Sequence, residues 1–180
     1  MRVFVYKWIF SYNTNTRKEI VMGLIDIHTH ILYGVDDGAK TLSDSMGLLD
    51  EEREQGVDAV IMTPHYGPKF GHPDKDVLRE HFDEISQKAE RYYPEISLYL
   101  GSELYYQENT ISDLDGGKAL TMNGTRYVLV EFGVKDPYTY LYRAIQSFVY
   151  AGYIPIIAHA ERYEAVFRHM DRIEELISLG

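Results

Sequence analysis

Apolar residues fall into short dense runs separated by stretches in which they recur every three or four positions, and the two rhythms alternate along most of the chain. The first run, LIDIHTH from Leu24, alternates as a half-buried strand does, with Asp26, His28 and His30 on one face and Ile25 and Ile27 on the other. Thr41 then caps a helix that carries Leu42, Met46 and Leu49 at helical spacing, and Gly56 stops it. A second strand at 57–62 is halted by Pro64, which leaves His65 at its tip. Residues 67–74 form a loop, and 76–93 a helix with Val77, Leu78, Phe82, Ile85 and Ala89 on its inner side. A third strand at 96–100 runs into Glu103, and a polar loop leads through Asn123-Gly124 to a fourth at 127–130, ending in Glu131. A tyrosine-rich helix from about 137 to 150 stops at Gly152, a fifth strand at 154–158 ends in His159, and a last helix reaches Leu179.

Five βα units with polar residues at the carboxyl end of each strand predict an α/β fold, a parallel barrel whose site gathers on that rim. The rival, a doubly wound open sheet, would use one crevice and would not place such residues on every strand end. Five strands do not close a barrel, so the domain is expected to be incomplete within this chain. Residues 1–22 stand apart from the pattern and are read as a leader outside a domain that occupies 23–180. Met22 is a candidate natural start, because Lys18-Glu19 can be encoded as a ribosome-binding sequence at a suitable distance upstream.

The chain has 180 residues, 45% of them hydrophobic, enough for one domain with its own core. With 28 acidic against 18 basic side chains, a net charge of -10 argues against general nucleic-acid binding, which relies on Lys and Arg. The absence of cysteine removes disulfides, thiolate metal sites and the cysteine nucleophile. No apolar run approaches the roughly 20 residues of a membrane span. The opening MRVFVYKWIF is interrupted by Lys7 and lacks a cleavage pattern, so a cytoplasmic location is expected.

His28, His30, His65, Glu103, Glu131 and His159, with Asp36 or Asp37, form a nitrogen and oxygen donor set without sulfur, which suits manganese, iron or zinc better than calcium or magnesium. One ion takes about four to six ligands, so this set argues for a multinuclear cluster. Clustered metals activate water and hold the oxygens of an in-line displacement at phosphorus. Arg162 offers a planar fork for two phosphate oxygens, against the alternative of a surface ion pair with Glu161 or Glu164. His72, His81 and His169 are read as solvent-exposed, and Tyr105 and Tyr106 as core or surface residues.

Taken together, IDIHTHIL, GVDDGAKTL, TPHY, LGSELYY, YVLVEF and GYIPIIAHAERY resemble the bacterial PHP-domain tyrosine-protein phosphatases of capsule and exopolysaccharide operons, over residues 24–180. The resemblance implies a distorted, TIM-like barrel of seven βα units and manganese as the activating metal. It implies His28 and His30 on one ion with Glu103 as a bridge, Asp37 and His65 on a second, Glu131 and His159 with bridging Glu103 on a third, and Arg162 on the phosphate. The implied reaction is hydrolysis of phosphotyrosine by metal-activated hydroxide, with a bacterial tyrosine kinase as the protein partner. Three departures stand out: Tyr33 and Ala160 occupy positions where the family has proline, and the family's later Asp-x-His pair has no counterpart before Gly180. Two other readings stay open, a small-molecule phosphoesterase of the histidinol-phosphate phosphatase type and an inactive metal-binding fragment. Oligomeric state has no signature in the sequence.

Overall fold

The computed structural model describes residues 5–10 and 21–180. In chain order the elements are β1 (Val5–Phe10), β2 (Val21–Thr29), α1 (Leu42–Glu54), β3 (Val57–Met62), β4 (His65–Tyr66), α2 (Lys75–Tyr92), β5 (Ser97–Leu100), β6 (Glu103–Tyr105), α3 (Thr110–Asp115), β7 (Tyr127–Glu131), α4 (Tyr138–Tyr150), β8 (Ile154–Ile157) and α5 (Met170–Ile177). They form two compact units, the first from Met1–Pro64 and Leu78–Leu100, the second from His65–Val77 and Gly101–Gly180, and each contains one four-stranded sheet. Among the described residues no helix is long and apolar enough to cross a membrane.

The first sheet has the order β1-β2-β3-β5. β2, β3 and β5 are parallel, as the alternating strand and helix rhythm predicts, and β1 adds an antiparallel edge with Val5 opposite Asp26 and Phe10 opposite Val21. Residues 1–4 and 11–20 of the expected leader, Lys18-Glu19 among them, lie outside the described residues. Helix α1 starts in a full capping box: the Asp44 amide donates to Thr41 Oγ1 at 3.2 Å and the Thr41 amide donates back to Asp44 Oδ2 at 2.9 Å. The Thr41 and Lys40 amides, both donating to Asp44 Oδ2, hold its carboxyl below the ordinary range. Gly56 follows the helix at φ +77, a left-handed position that glycine adopts without a Cβ penalty.

The second sheet has the order β4-β6-β7-β8 and is parallel throughout. Its core joins Val128 and Val130 of β7 to Leu141, Ala144, Ile145 and Phe148 along one face of α4, with Phe132 and Tyr163 closing the cluster. Burying one such aromatic or aliphatic side chain is worth about 1.5–3 kcal/mol.

The strands expected at 57–62 and 96–100 stand as β3 and β5, but the polar residues expected at their tips belong to strands of the other sheet. β3 stops at Met62, where the Thr63 amide donates to the Thr29 carbonyl at 2.8 Å and the Thr29 amide to Thr63 Oγ1 at 3.1 Å. Pro64, lacking an N–H, extends no ladder, and His65 opens β4 in the other sheet. Likewise Gly101-Ser102 separates β5 from β6, so Glu103 begins a strand of the second sheet and does not end one of the first. The segment expected as a polar loop before β7 contains the short helix α3, just before which Asn109 Nδ2 donates to the buried Asp113 Oδ2 at 2.8 Å.

Candidate metal centre

Register in the second sheet puts His65 opposite Glu103 and Tyr105 opposite Glu131, so three short parallel strands carry their polar residues to one place. His65 Nδ1 lies 3.1 Å from Glu103 Oε2 and 3.7 Å from Glu131 Oε2, and His159 Nε2 lies 3.3 Å from Glu103 Oε1. The Glu103 side chain has no exposure to solvent and sits between two imidazoles. One ligand atom each from His65, Glu103 and Glu131 lies within 4.8 Å of the others. A carboxylate taken so far out of water is costly unless positive charge meets it. Two nitrogen and two carboxylate donors facing inward in this way fit a divalent transition metal, and carboxylate and imidazole are the donors such ions accept.

His159 reaches this position from a left-handed backbone conformation, φ 53, two residues after the end of β8. For a residue other than glycine that conformation costs about 1–2 kcal/mol. The 3-10 turn Ala160–Arg162 follows, closed by the Arg162 amide donating to the His159 carbonyl at 2.8 Å. Arg162 is exposed, and its Nε lies 3.7 Å from Glu161 Oε1, with both side chains more than half open to water. An exposed pair at that distance is worth little.

The first unit holds its own polar cluster. His28 and His30 leave the end of β2 with ring centroids 5.4 Å apart. His30 Nδ1 lies 2.7 Å from Asp36 Oδ2, while Asp36 Oδ1 accepts from the Gly38 amide at 2.9 Å. A buried carboxylate on Nδ1 selects the tautomer that leaves Nε2 with its lone pair, the arrangement metal-binding histidines use. Asp36 is therefore the orienting neighbour, and Asp37 is the exposed member of the pair. A Cβ on Gly38 would run into the backbone and Cβ of His30, so this turn closes only with glycine there.

His81 departs from expectation. It is half-buried, its ring stacks on Tyr33 at 4.2 Å and 9°, and its Nδ1 lies 3.0 Å from the Tyr33 carbonyl. The Tyr33 hydroxyl donates to Glu84 Oε2 at 2.5 Å, which pushes the phenol up to about 12. Tyr33 is thus tied to α2 by two side chains of that helix. A helical wheel shows only that His81 shares a charged face, so no local signal marks it. His72 and His169 are exposed as expected. Tyr106 belongs to the aromatic core with Phe132, Tyr140 and Phe148. Sequence reasoning also missed Phe70, whose ring lies flat on His65 at 3.7 Å and 3° and fixes the imidazole plane.

Residues 24–180 match the family model described as capsular polysaccharide synthesis, CpsB/CapC. Among curated proteins the chain is 32% identical over 157 residues to tyrosine-protein phosphatase CpsB of Streptococcus agalactiae serotype V, covering 87% of this chain and 65% of that one. It is 29% identical to tyrosine-protein phosphatase YwqE of Bacillus subtilis strain 168, covering 87% of this chain and 62% of that one. A crystal structure from work on YwqE of Bacillus subtilis and CpsB of Streptococcus pneumoniae, described there as unique metal-dependent tyrosine phosphatases, superposes with a TM-score of 0.79 at 29% identity, covering 87% of this chain and 63% of that one. The chain thus spans somewhat less than two thirds of the length of the relatives it matches.

Proposed function

The chain belongs to the CpsB/CapC family of capsular polysaccharide synthesis, and from that premise we propose that it acts as a metal-dependent phosphotyrosine-protein phosphatase in the regulation of capsular or exopolysaccharide synthesis. The observation that carries the reading is Glu103, wholly buried between His65 and His159 with Glu131 in reach of the same histidine. We assign His65, Glu103, Glu131 and His159 of the second unit and His28, His30 and Asp37 of the first as metal ligands, and manganese as the ion, with iron or zinc as alternatives. The finer architecture we assign is the distorted PHP-type barrel, with cytoplasmic location and a bacterial tyrosine kinase as the phosphorylated partner.

When bound, divalent ions would supply an activated water and neutralise charge on the phosphoryl group. The chain's own residues do the rest. Asp36 holds His30 in one tautomer and Phe70 holds the His65 ring in one plane, so two donors are oriented before any ion arrives. Arg162 ends the turn that His159 opens, with a guanidinium open to solvent that can grip two phosphoryl oxygens and offset the charge that spreads over them. The phenolate leaving group, with a pKa near 10, requires less proton donation than an alkoxide. With no cysteine in the chain, a phosphocysteine route is excluded by composition.

Hydrolysis of a phosphotyrosyl peptide and of histidinol phosphate, each with Mn2+, tests the reading. The peptide is expected to be the better substrate, and E103Q to lose both metal and turnover while keeping its fold. Strong preference for histidinol phosphate would overturn the protein-phosphatase reading in favour of a small-molecule phosphoesterase. Tight metal binding with no turnover of either substrate would establish the inactive metal-binding reading.

A further inference from the structure

Tyr163 is almost wholly buried, 1% exposed, directly after the turn that carries Arg162. Its hydroxyl donates to the Ala158 carbonyl at 2.6 Å and accepts from the Phe132 amide at 3.1 Å. Ala158 precedes His159 and Phe132 follows Glu131, so one phenol oxygen joins the backbone beside two candidate ligands on neighbouring strands. The place of that oxygen in the ladder is informative. β7 and β8 pair in parallel up to Val130 opposite Ile157, and the Ala158 amide then donates to the Val130 carbonyl at 2.9 Å. The next bond of a continuing parallel ladder would run from the Phe132 amide to the Ala158 carbonyl. The Tyr163 hydroxyl stands between those two groups and bonds to both. It splays the strand ends by one oxygen where Glu131 and His159 must turn toward the same centre. The ring meets Phe132 edge-on at 6.0 Å and 86°, which fixes the hydroxyl's direction, and burial raises the phenol's pKa so that it keeps its proton.

We propose that Tyr163 is a positioning residue for the metal site: its hydroxyl, inserted in the β7–β8 ladder, sets the separation of Glu131 and His159. This rests on the metal-site reading above. A purely structural tyrosine would contribute to stability and leave ion affinity unchanged.

The test is Y163F in the whole chain, with Y153F as control, since the Tyr153 hydroxyl donates to Asp115 Oδ1 at 2.7 Å in the same unit and touches no candidate ligand. Mn2+ binding is followed by loss of the free-ion electron paramagnetic resonance signal, and folding by circular dichroism. Wild type and Y153F are expected to bind alike and folded Y163F about tenfold more weakly, with recovery when 4-aminophenylalanine restores a donor at position 163. Y163F binding as tightly as wild type overturns the inference and leaves the metal reading standing. Wild type that does not bind Mn2+ overturns both. Should Y163F not fold, the wild-type protein carries the test through reciprocity: Zn2+ must slow exchange of the Phe132 amide more than that of Val128, and equal slowing overturns the proposal.

Discussion

Glu103 and Glu52 are both buried acids, but the groups they face differ. Glu103 faces two imidazoles, whereas Glu52, 7% exposed on α1, lies near Asp26, 1% exposed on β2. Burial first, and then the charge of Asp26, push the Glu52 carboxyl from its ordinary 4.5 up to about 7. The folded state therefore prefers the protonated acid. That contribution to stability is complete below about pH 4.5 and is lost as pH rises through about 7. E52Q, which cannot ionise, is expected to flatten this decline and to be about 2 kcal/mol more stable than wild type at pH 8, with little difference at pH 4. Urea unfolding midpoints at the two pH values measure it, and parallel pH profiles for the two proteins would refute it. Burial is invisible in composition, and nothing in the spacing of Asp26 and Glu52 announces that they meet.

At the scale of elements, local chemistry made the helix boundaries readable. Thr41 caps α1 as its sequence requires, and Gly56 and Gly152, at φ +77 and +88, end α1 and α4 where glycine is favoured. T41A should lower stability by about 1 kcal/mol, read as a shift in the denaturant midpoint with an unchanged slope, because the Asp44 amide loses its acceptor. An unchanged midpoint would mean that the capping box contributes nothing. Elements too short to hold a period were not readable. The two-residue β4 and three-residue β6 were not expected as strands, their first residues being placed at the tips of the strands before them, and α3, with six residues, was taken for loop. The candidate ligands were found because residue type survives such errors: His65 and Glu103 were selected for their chemistry, although the strands assigned to them belonged to the other sheet.

For the molecule as a whole, a net charge of -10 and inward-facing carboxylates lead to the expectation that divalent cations stabilise the fold. An ion that binds only the folded chain adds about 2.7 kcal/mol at a concentration of 100 times its Kd, which for a chain of this size corresponds to a rise of roughly 5–10 °C in Tm. Thermal unfolding in chelator and in Mn2+ should differ by about that much, and E103Q should abolish the difference. Equal Tm values for wild type with and without the ion would remove the support for a metal-bearing fold.

The sequence by itself determined the alternation of strand and helix, the caps, the parallel pairing of the strands that alternate with helices and the kinds of donor atom available, because these depend on side-chain spacing along a few consecutive residues. Tertiary structure decided which donors meet and what holds them. The placing of Glu103 between His65 and His159, the orientation of His30 by Asp36, the half-burial of His81 under Tyr33 and the insertion of the Tyr163 hydroxyl between Phe132 and Ala158 each depend on how the chain folds back on itself. Such contacts are set by register and packing, which bring residues from separate elements within hydrogen-bond reach, and no local period encodes that distance.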